Sequence, residues 1–184
     1  MIITVENPHD DHLLHTPCKK VKKEDFQSIE LLILKQEMKR IALDPGAAGV
    51  AAPQLGKSIR IFVLCTKLIP EPFFFFNPVL KGVSEEIKIV EEGCLSVPGK
   101  VVKLQRYEKI KISWQDEFGK TYAKDNKKYE FEFEGFESQA VQHELDHLNG
   151  VLCSDIAKAV YNASDFEESF AKAKEAEEAL ALEG

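Results

Sequence analysis

Residues Gln142 to Gly150 read QHELDHLNG, which sets two histidines four positions apart with an acid directly after the first. On a helix this spacing brings both imidazoles to one side, a turn apart, so His143 and His147 can hold one metal ion while Glu144 reaches its edge. A catalytic zinc-type centre commonly has three protein ligands and an open position for water. The chemistry this pattern offers is therefore metal-assisted hydrolysis, provided a third ligand can be found.

Two cysteines compete for that place. Cys153 follows His143 and His147 at the spacing of the metzincin proteases, with cysteine where they carry a third histidine. Against it, Val151-Leu152-Cys153 reads as a short buried strand, in which a cysteine is a small core residue. Cys94 lies instead in EEGCLSVPG, expected as a loop over Glu92 to Gly99, where glycine lets the backbone approach a neighbour and the thiol can be aimed into a cleft. A third stretch, GAAGVAAPQLG from Gly46 to Gly56, is built of small residues and carries Gln54, an amide able to donate to a developing oxyanion.

The histidine-bearing segment is predicted as a helix from about Phe136 to Gly150. Val141, Leu145 and Leu148 gather on one face, and Phe136, Ala140, His143 and His147 roughly opposite. Both faces are occupied, so the helix should be central, packed on the core with one side and lining a cleft with the other. Ahead of it, an extended, proline-marked start leads to a predicted helix from about Glu24 to Leu43, with Leu31, Leu34, Met38 and Ile41 on one stripe. Strands are expected at 59–65, 73–80, 86–90 and 108–115, and a half-buried one where Tyr129, Phe131 and Phe133 alternate with glutamates. Turns rather than crossover helices join them, which predicts an α+β fold of antiparallel sheets wrapped around the histidine helix.

At 184 residues the chain is read as one catalytic domain over residues 1–162, followed by an acidic amphipathic helix over 163–184 packed on its surface. That last segment opens with a capping box, Ser164 to Glu167, and its seven acids against two lysines give net −5. The net charge of the whole chain, −7, and the lack of a basic run argue against direct DNA binding. The four scattered cysteines, Cys18, Cys65, Cys94 and Cys153, read as reduced thiols. The acid- and histidine-bearing N-terminus does not read as a signal peptide, and no apolar run is long enough to span a membrane, so a cytoplasmic location is expected.

Three stretches, GVAAPQ (Gly49 to Gln54), EGCLS (Glu92 to Ser96) and HELDH (His143 to His147), in this order and at these separations, resemble the motifs of the peptide deformylases. Members of that family remove the formyl group from N-formylmethionine at the start of new bacterial and organellar proteins. Supporting matches are Phe76-Asn77-Pro78, Arg106 and Gly150-Val151-Leu152 with Asp155, so the resemblance runs to about residue 156. It implies Cys94, His143 and His147 as metal ligands, Glu144 as general acid/base, and Gln54 with the backbone N–H of Leu95 as oxyanion donors. It also implies one divalent ion, Fe2+ foremost, with Zn2+, Ni2+ or Co2+ able to replace it, and N-formylmethionyl nascent peptides as substrates. Gly49, Val50, Phe136 and Ala140, with Val90, are expected around the methionine side chain. Any transient ribosome contact should not use the C-terminal helix, because an acidic helix is repelled by RNA. The chain departs from the family at Ala47, where a glycine is usual, and at His15, Gln139 and Ile156, where arginines are common. If position 47 needed a positive φ, Ala47 would cost roughly 1 kcal/mol or reshape the loop.

Overall fold

Alternating isoleucines and lysines set the middle of the fold: Ile110 and Ile112 are buried, and Lys109 and Lys111, which alternate with them, are exposed. They belong to the largest of three antiparallel sheets among the described residues of the computed structural model, which are 1–121, 123–124, 127–128 and 131–166. The elements run α1 (Pro8–Leu14), α2 (Ile29–Ala42), β1 (Gly49–Ala51), β2 (Ile61–Leu64), β3 (Phe73–Val83), β4 (Ile87–Cys94), β5 (Val97–Tyr107), β6 (Lys109–Gln115), β7 (Ala123–Lys124), β8 (Lys127–Lys128), β9 (Phe131–Glu134), α3 (Gly135–Leu148) and β10 (Ala159–Asn162). One sheet has the order β1-β2-β3-β6-β9, a second β10-β5-β4, and β7 with β8 forms a small hairpin. Helix α3 packs against β1, β2, β6 and β9 of the first sheet and β5 of the second. The α+β architecture with antiparallel sheets is thus the one the turn-joined strands predicted.

Val141, Leu145 and Leu148 of α3 are buried with Phe62, Phe75, Ile110 and Ile112 in one apolar cluster. A second cluster joins Leu31, Leu34, Met38 and Ala42 of α2 to Val50, Ile61, Val63 and Phe76. Gln142 fastens α3 to the end of β5: its Nε2 donates to the Tyr107 carbonyl at 2.9 Å and its Oε1 accepts the Tyr107 N–H at 3.0 Å. Gly150, left-handed at φ +72°, ends the helix region, and an added Cβ there would lie 2.7 Å from the His15 carbonyl oxygen, so the N-terminal segment passes against it.

Several expectations are corrected. Helix α2 starts at Ile29 rather than near Glu24, because the Ser28 side chain accepts the Leu31 N–H at 3.1 Å and caps it there. The N-terminal stretch is not all extended: Asn7 caps α1, with Pro8 in its first turn. The expected loop over Glu92 to Gly99 is a tight hairpin, with β4 running through Cys94 and β5 beginning at Val97. The segment Val151-Leu152-Cys153 forms no strand: Leu152 and Cys153 are buried, and a turn begins at Cys153. In β9, Phe133 is buried but Phe131 is half exposed, since β9 is an edge strand. Ala47 has no positive φ, so the cost anticipated for a glycine-requiring backbone does not arise. Nearly all of the expected C-terminal helix, residues 167–184, and Tyr129 lie outside the described residues.

Candidate metal centre and cleft

The N-terminal residues bring two of the three motif stretches together. The Ile3 N–H donates to the Gln54 carbonyl at 2.9 Å and the Val5 N–H to the Ser96 carbonyl at 3.0 Å. Gln54 lies in a 3-10 turn, Ala52–Leu55, directly after β1, and is buried. Its Oε1 accepts the Ala51 N–H at 2.9 Å, which turns the Nε2 donor toward Ser96 Oγ at 3.3 Å and Cys94 Sγ at 3.7 Å. Cys94 sits at the end of β4, where the β4–β5 register shifts between Gly93 and Cys94.

Helix α3 supplies the imidazoles. The rings of His143 and His147 meet edge to face with centroids 4.9 Å apart, and His147 Nε2 lies 3.3 Å from Cys94 Sγ. One ligand atom each from Cys94, His143 and His147 lie within 4.8 Å of one another, so these residues could hold a metal ion. With metal–sulfur and metal–nitrogen bonds of about 2.3 and 2.05 Å, tetrahedral geometry separates sulfur from nitrogen by about 3.5 Å, close to the spacing of Cys94 and His147. Burial and hydrogen bonding fit the same use. His147 is held well below the ordinary imidazole range by burial and by the charges of His143 and Arg106, so it presents a neutral ring. The Cys94 thiol is pushed up by its hydrogen bond with Cys153 and by burial, so a cation is needed to draw the thiolate out.

His143 is oriented from behind. Its Nδ1 lies 2.8 Å from Glu92 Oε2, and Glu92 receives Arg106 Nε at 2.8 Å and Nη2 at 2.9 Å. Arg106 also donates to Asp146. Burial by itself would raise the Glu92 pKa, but its bonds to Arg106 and His143 hold it at about 2. Burial likewise would lower that of His143, but Glu92 and the nearby Glu144 charge raise it to about 9. An Nδ1–H donated to Glu92 leaves Nε2 as the nitrogen facing the centre. Glu92 and Asp146 were not singled out from the sequence. The signal that could have found Glu92 is an acid flanking a ligand inside a motif, with Arg106 as its counter-charge.

Glu144 lies over β1. A Cβ at Gly49 would come within 2.9 Å of Glu144 Oε1, 2.8 Å of the Val63 carbonyl oxygen and 2.7 Å of Leu64 Cδ2, so only glycine fits beneath the carboxylate. Glu144 Oε2 is buried without a hydrogen-bond partner. Burial first, offset by His143 and aided by Glu92, raises its pKa to about 7.

These groups border a cleft of about 450 Å³ lined by Gly49, Gln54, Leu95, Phe136, Ala140 and Glu144, among others. Two expected pocket residues are turned away. Strand alternation that points Gly49 at Glu144 sends the fully buried Val50 side chain into the α2 cluster, and Val90 packs beside Cys153, Val102 and Leu104. Cys153 is buried in that same cluster, behind Cys94.

Comparison with known proteins places this geometry in context. A sequence model described as polypeptide deformylase matches residues 2–162. The chain is 36% identical over 138 residues to a peptide deformylase of Borreliella burgdorferi, covering 74% of this chain and 79% of that one. It is 35% identical over 150 residues to one of Thermosynechococcus vestitus, with 79% and 73% covered. Among solved structures, the peptide deformylase of Thermotoga maritima superposes with a TM-score of 0.73 at 32% identity, covering 86% of this chain and 97% of that one. A Met-Ala-Ser-bound class I type b peptide deformylase from Acinetobacter baumannii gives 0.72 at 27% identity, covering 85% and 96%.

Proposed function

This chain belongs to the polypeptide deformylase family, metal-dependent hydrolases that remove the N-formyl group from nascent peptides, and from that premise we propose which of its residues do the work. Cys94, His143 and His147 hold one divalent ion. Their mixed sulfur and nitrogen donors accept Fe2+, Zn2+, Ni2+ or Co2+, and Fe2+ is our assignment, following the family. The observation that carries the reading is the meeting of one sulfur, two imidazoles, an unpartnered carboxylate and an aimed amide at one cleft.

When bound, the ion supplies Lewis acidity, polarising the formyl carbonyl and making water a usable nucleophile near neutral pH. Glu144 accepts the proton of the attacking water through its buried, unpartnered Oε2. Gln54 Nε2 and the Leu95 N–H donate to the formyl oxygen as negative charge develops on it, a donor of this kind contributing about 2.7–4 kcal/mol. The Gln54 amide is set for this before substrate arrives, because its oxygen is tied to the Ala51 N–H. Glu144 then delivers its proton to the leaving amine nitrogen. Formate and a free N-terminus result.

Phe136 and Ala140 flank the cleft, two turns and one turn before His143 respectively, and Gly49 offers backbone in the same cleft. We place the methionine side chain between them, a reading supported by the Met-Ala-Ser bound to the Acinetobacter relative. All these groups fall within residues 1–162, which we take as the catalytic unit. The acidic 163–184 segment disfavours docking on ribosomal RNA, and the net charge of −7 disfavours DNA. No helix among the described residues is long and apolar enough to cross a membrane. We place the enzyme in the cytoplasm, where nascent chains carry the formyl group.

Release of formate from formyl-Met-Ala tests the assignment. The wild-type chain turns over; Glu144→Gln loses about 10²–10⁴-fold while keeping its metal. Cys94→Ala loses the metal and Cys153→Ala retains it. The reverse pattern for the two cysteines would overturn the ligand set.

A further inference from the structure

Deformylation leaves one reactive side chain beside the centre without a task. Cys153 is almost fully buried in the turn after α3, packed with Val102 and Leu104, and the Cys94 side chain rests on the same cluster. Its sulfur lies within 4.8 Å of a His143 ring nitrogen and a Glu92 oxygen. Both thiols meet that one buried cluster, and each lies within 4.8 Å of a His143 ring nitrogen. Neither is in a disulfide. A residue placed there only to fill space would need no thiol, since an apolar side chain packs equally well against Val102 and Leu104.

We propose that Cys94 and Cys153 are a redox modification site: reaction with hydrogen peroxide converts them into a reversible disulfide that withdraws Cys94 from the metal centre and spares it from irreversible oxidation. Cys94 is the first target because it lines the cleft, whereas Cys153 is sealed behind it. Its sulfur attacks one peroxide oxygen, so an S–O bond forms, the O–O bond breaks and one water leaves, giving a sulfenic acid. The Cys153 sulfur then attacks Cys94, the S–S bond forms, the S–O bond breaks and a second water leaves. Two thiols give up two electrons and two protons, and one peroxide is reduced to two waters.

The backbone permits the closer approach a disulfide requires. Cys94 stands at the last pair of the β4–β5 ladder, opposite Val97, where the register already shifts beside Gly93, and Cys153 stands in a turn outside any ladder, so the approach disturbs at most that terminal pair. Proximity in one buried cluster also sets the competition. A neighbouring thiol reaches the sulfenic acid without diffusing to it, whereas overoxidation needs a second peroxide to enter the cleft. Cys18, buried against Phe62 and Leu145, and Cys65, whose thiol faces the Pro70 carbonyl, lie in other parts of the fold and serve as internal controls.

The bond itself does not depend on Cys94 being a metal ligand, but the accompanying metal release rests on that reading, and the two are measured separately. Full-length protein loaded with zinc, which is redox-inert so that sulfur supplies both electrons, is titrated with hydrogen peroxide. Non-reducing peptide mapping should show the Cys94 and Cys153 peptides linked, with free thiols falling from the four in the chain to two, zinc released in step, and both recovered after dithiothreitol and fresh zinc. Cys153→Ala under the same dose should carry Cys94 as sulfinic or sulfonic acid that dithiothreitol does not restore. Wild-type Cys94 overoxidised, still reduced after Cys65 reacts, or joined elsewhere while Cys153 remains alkylatable would overturn the proposal. A Cys94–Cys153 bond that forms with zinc retained would leave the modification standing and remove Cys94 from the ligand set.

Discussion

Replacing Glu92 with glutamine tests how the centre is held from behind. In the metal-free protein the carboxylate joins Arg106 to His143, with side chains only 4–13% exposed across the three residues. Glu92 moves from 4.5 to about 2 on folding, and 2.5 units at 1.36 kcal/mol each is about 3 kcal/mol. His143 rises from 6.5 to about 9, a contribution of similar size that shares the same contact and is not simply added. The depressed Glu92 pKa gives stability that is present above about 4.5 and lost as pH falls toward about 2. The raised His143 pKa gives stability present below about 6.5 and lost as pH rises through about 9. Both are therefore complete between those limits. Urea denaturation in chelator should find Glu92→Gln less stable by about 3 kcal/mol near pH 5.5, the low end of the usual 3–5 for a broken buried pair, because Arg106 keeps Asp146. The difference should shrink on either side of that window, and metal affinity at neutral pH should fall roughly 10–100-fold. A difference under about 1 kcal/mol near pH 5.5, or one constant from about pH 4 to 9, would refute this account.

Gly49→Ala should cost about 1–3 kcal/mol in denaturation and at least about 10²-fold in kcat with metal content intact, because the new Cβ meets the Val63 carbonyl and the Glu144 carboxylate within 3 Å. Ala140→Leu should raise KM for formyl-Met peptides while metal content stays constant; unchanged kinetics would remove Ala140 from the methionine pocket. His15 has its pKa raised by the Asp11 carbonyl first and by Asp155, so its contribution is present below about 6.5 and lost at higher pH. The stability gap between wild type and His15→Asn should accordingly be larger at about pH 5.5 than at pH 8.5, read by thermal melts. Deleting residues 163–184 should leave ribosome cosedimentation unchanged, and loss of binding would assign docking to that segment.

What was legible beforehand and what was not divides along a physical line. Helix α3 and its two faces could be read because a 3.6-residue period places His143, His147 and Glu144 by local geometry alone, and the alternating Lys109 to Ile112 strand could be read for the same reason. The hairpin at Cys94 was hidden by the glycine and proline that usually mark loops, and was formed instead by pairing with Val97 to Tyr107. Val50 was misplaced toward the cleft because alternation fixes that adjacent residues oppose one another, but not which of them faces the site. Thus the sequence alone determined the two histidines a turn apart, the acid beside them and the antiparallel α+β class, which follow from residue chemistry and short-range periodicity, whereas the choice of Cys94 over Cys153 came from the family resemblance. Only the tertiary structure decided that residues 3 and 5 tie Gln54 to Ser96, that Glu92 and Arg106 brace His143, and that Cys153 stands behind Cys94. Those relations join segments tens of residues apart, and nothing in local spacing encodes them until burial of the shared core brings the segments into contact.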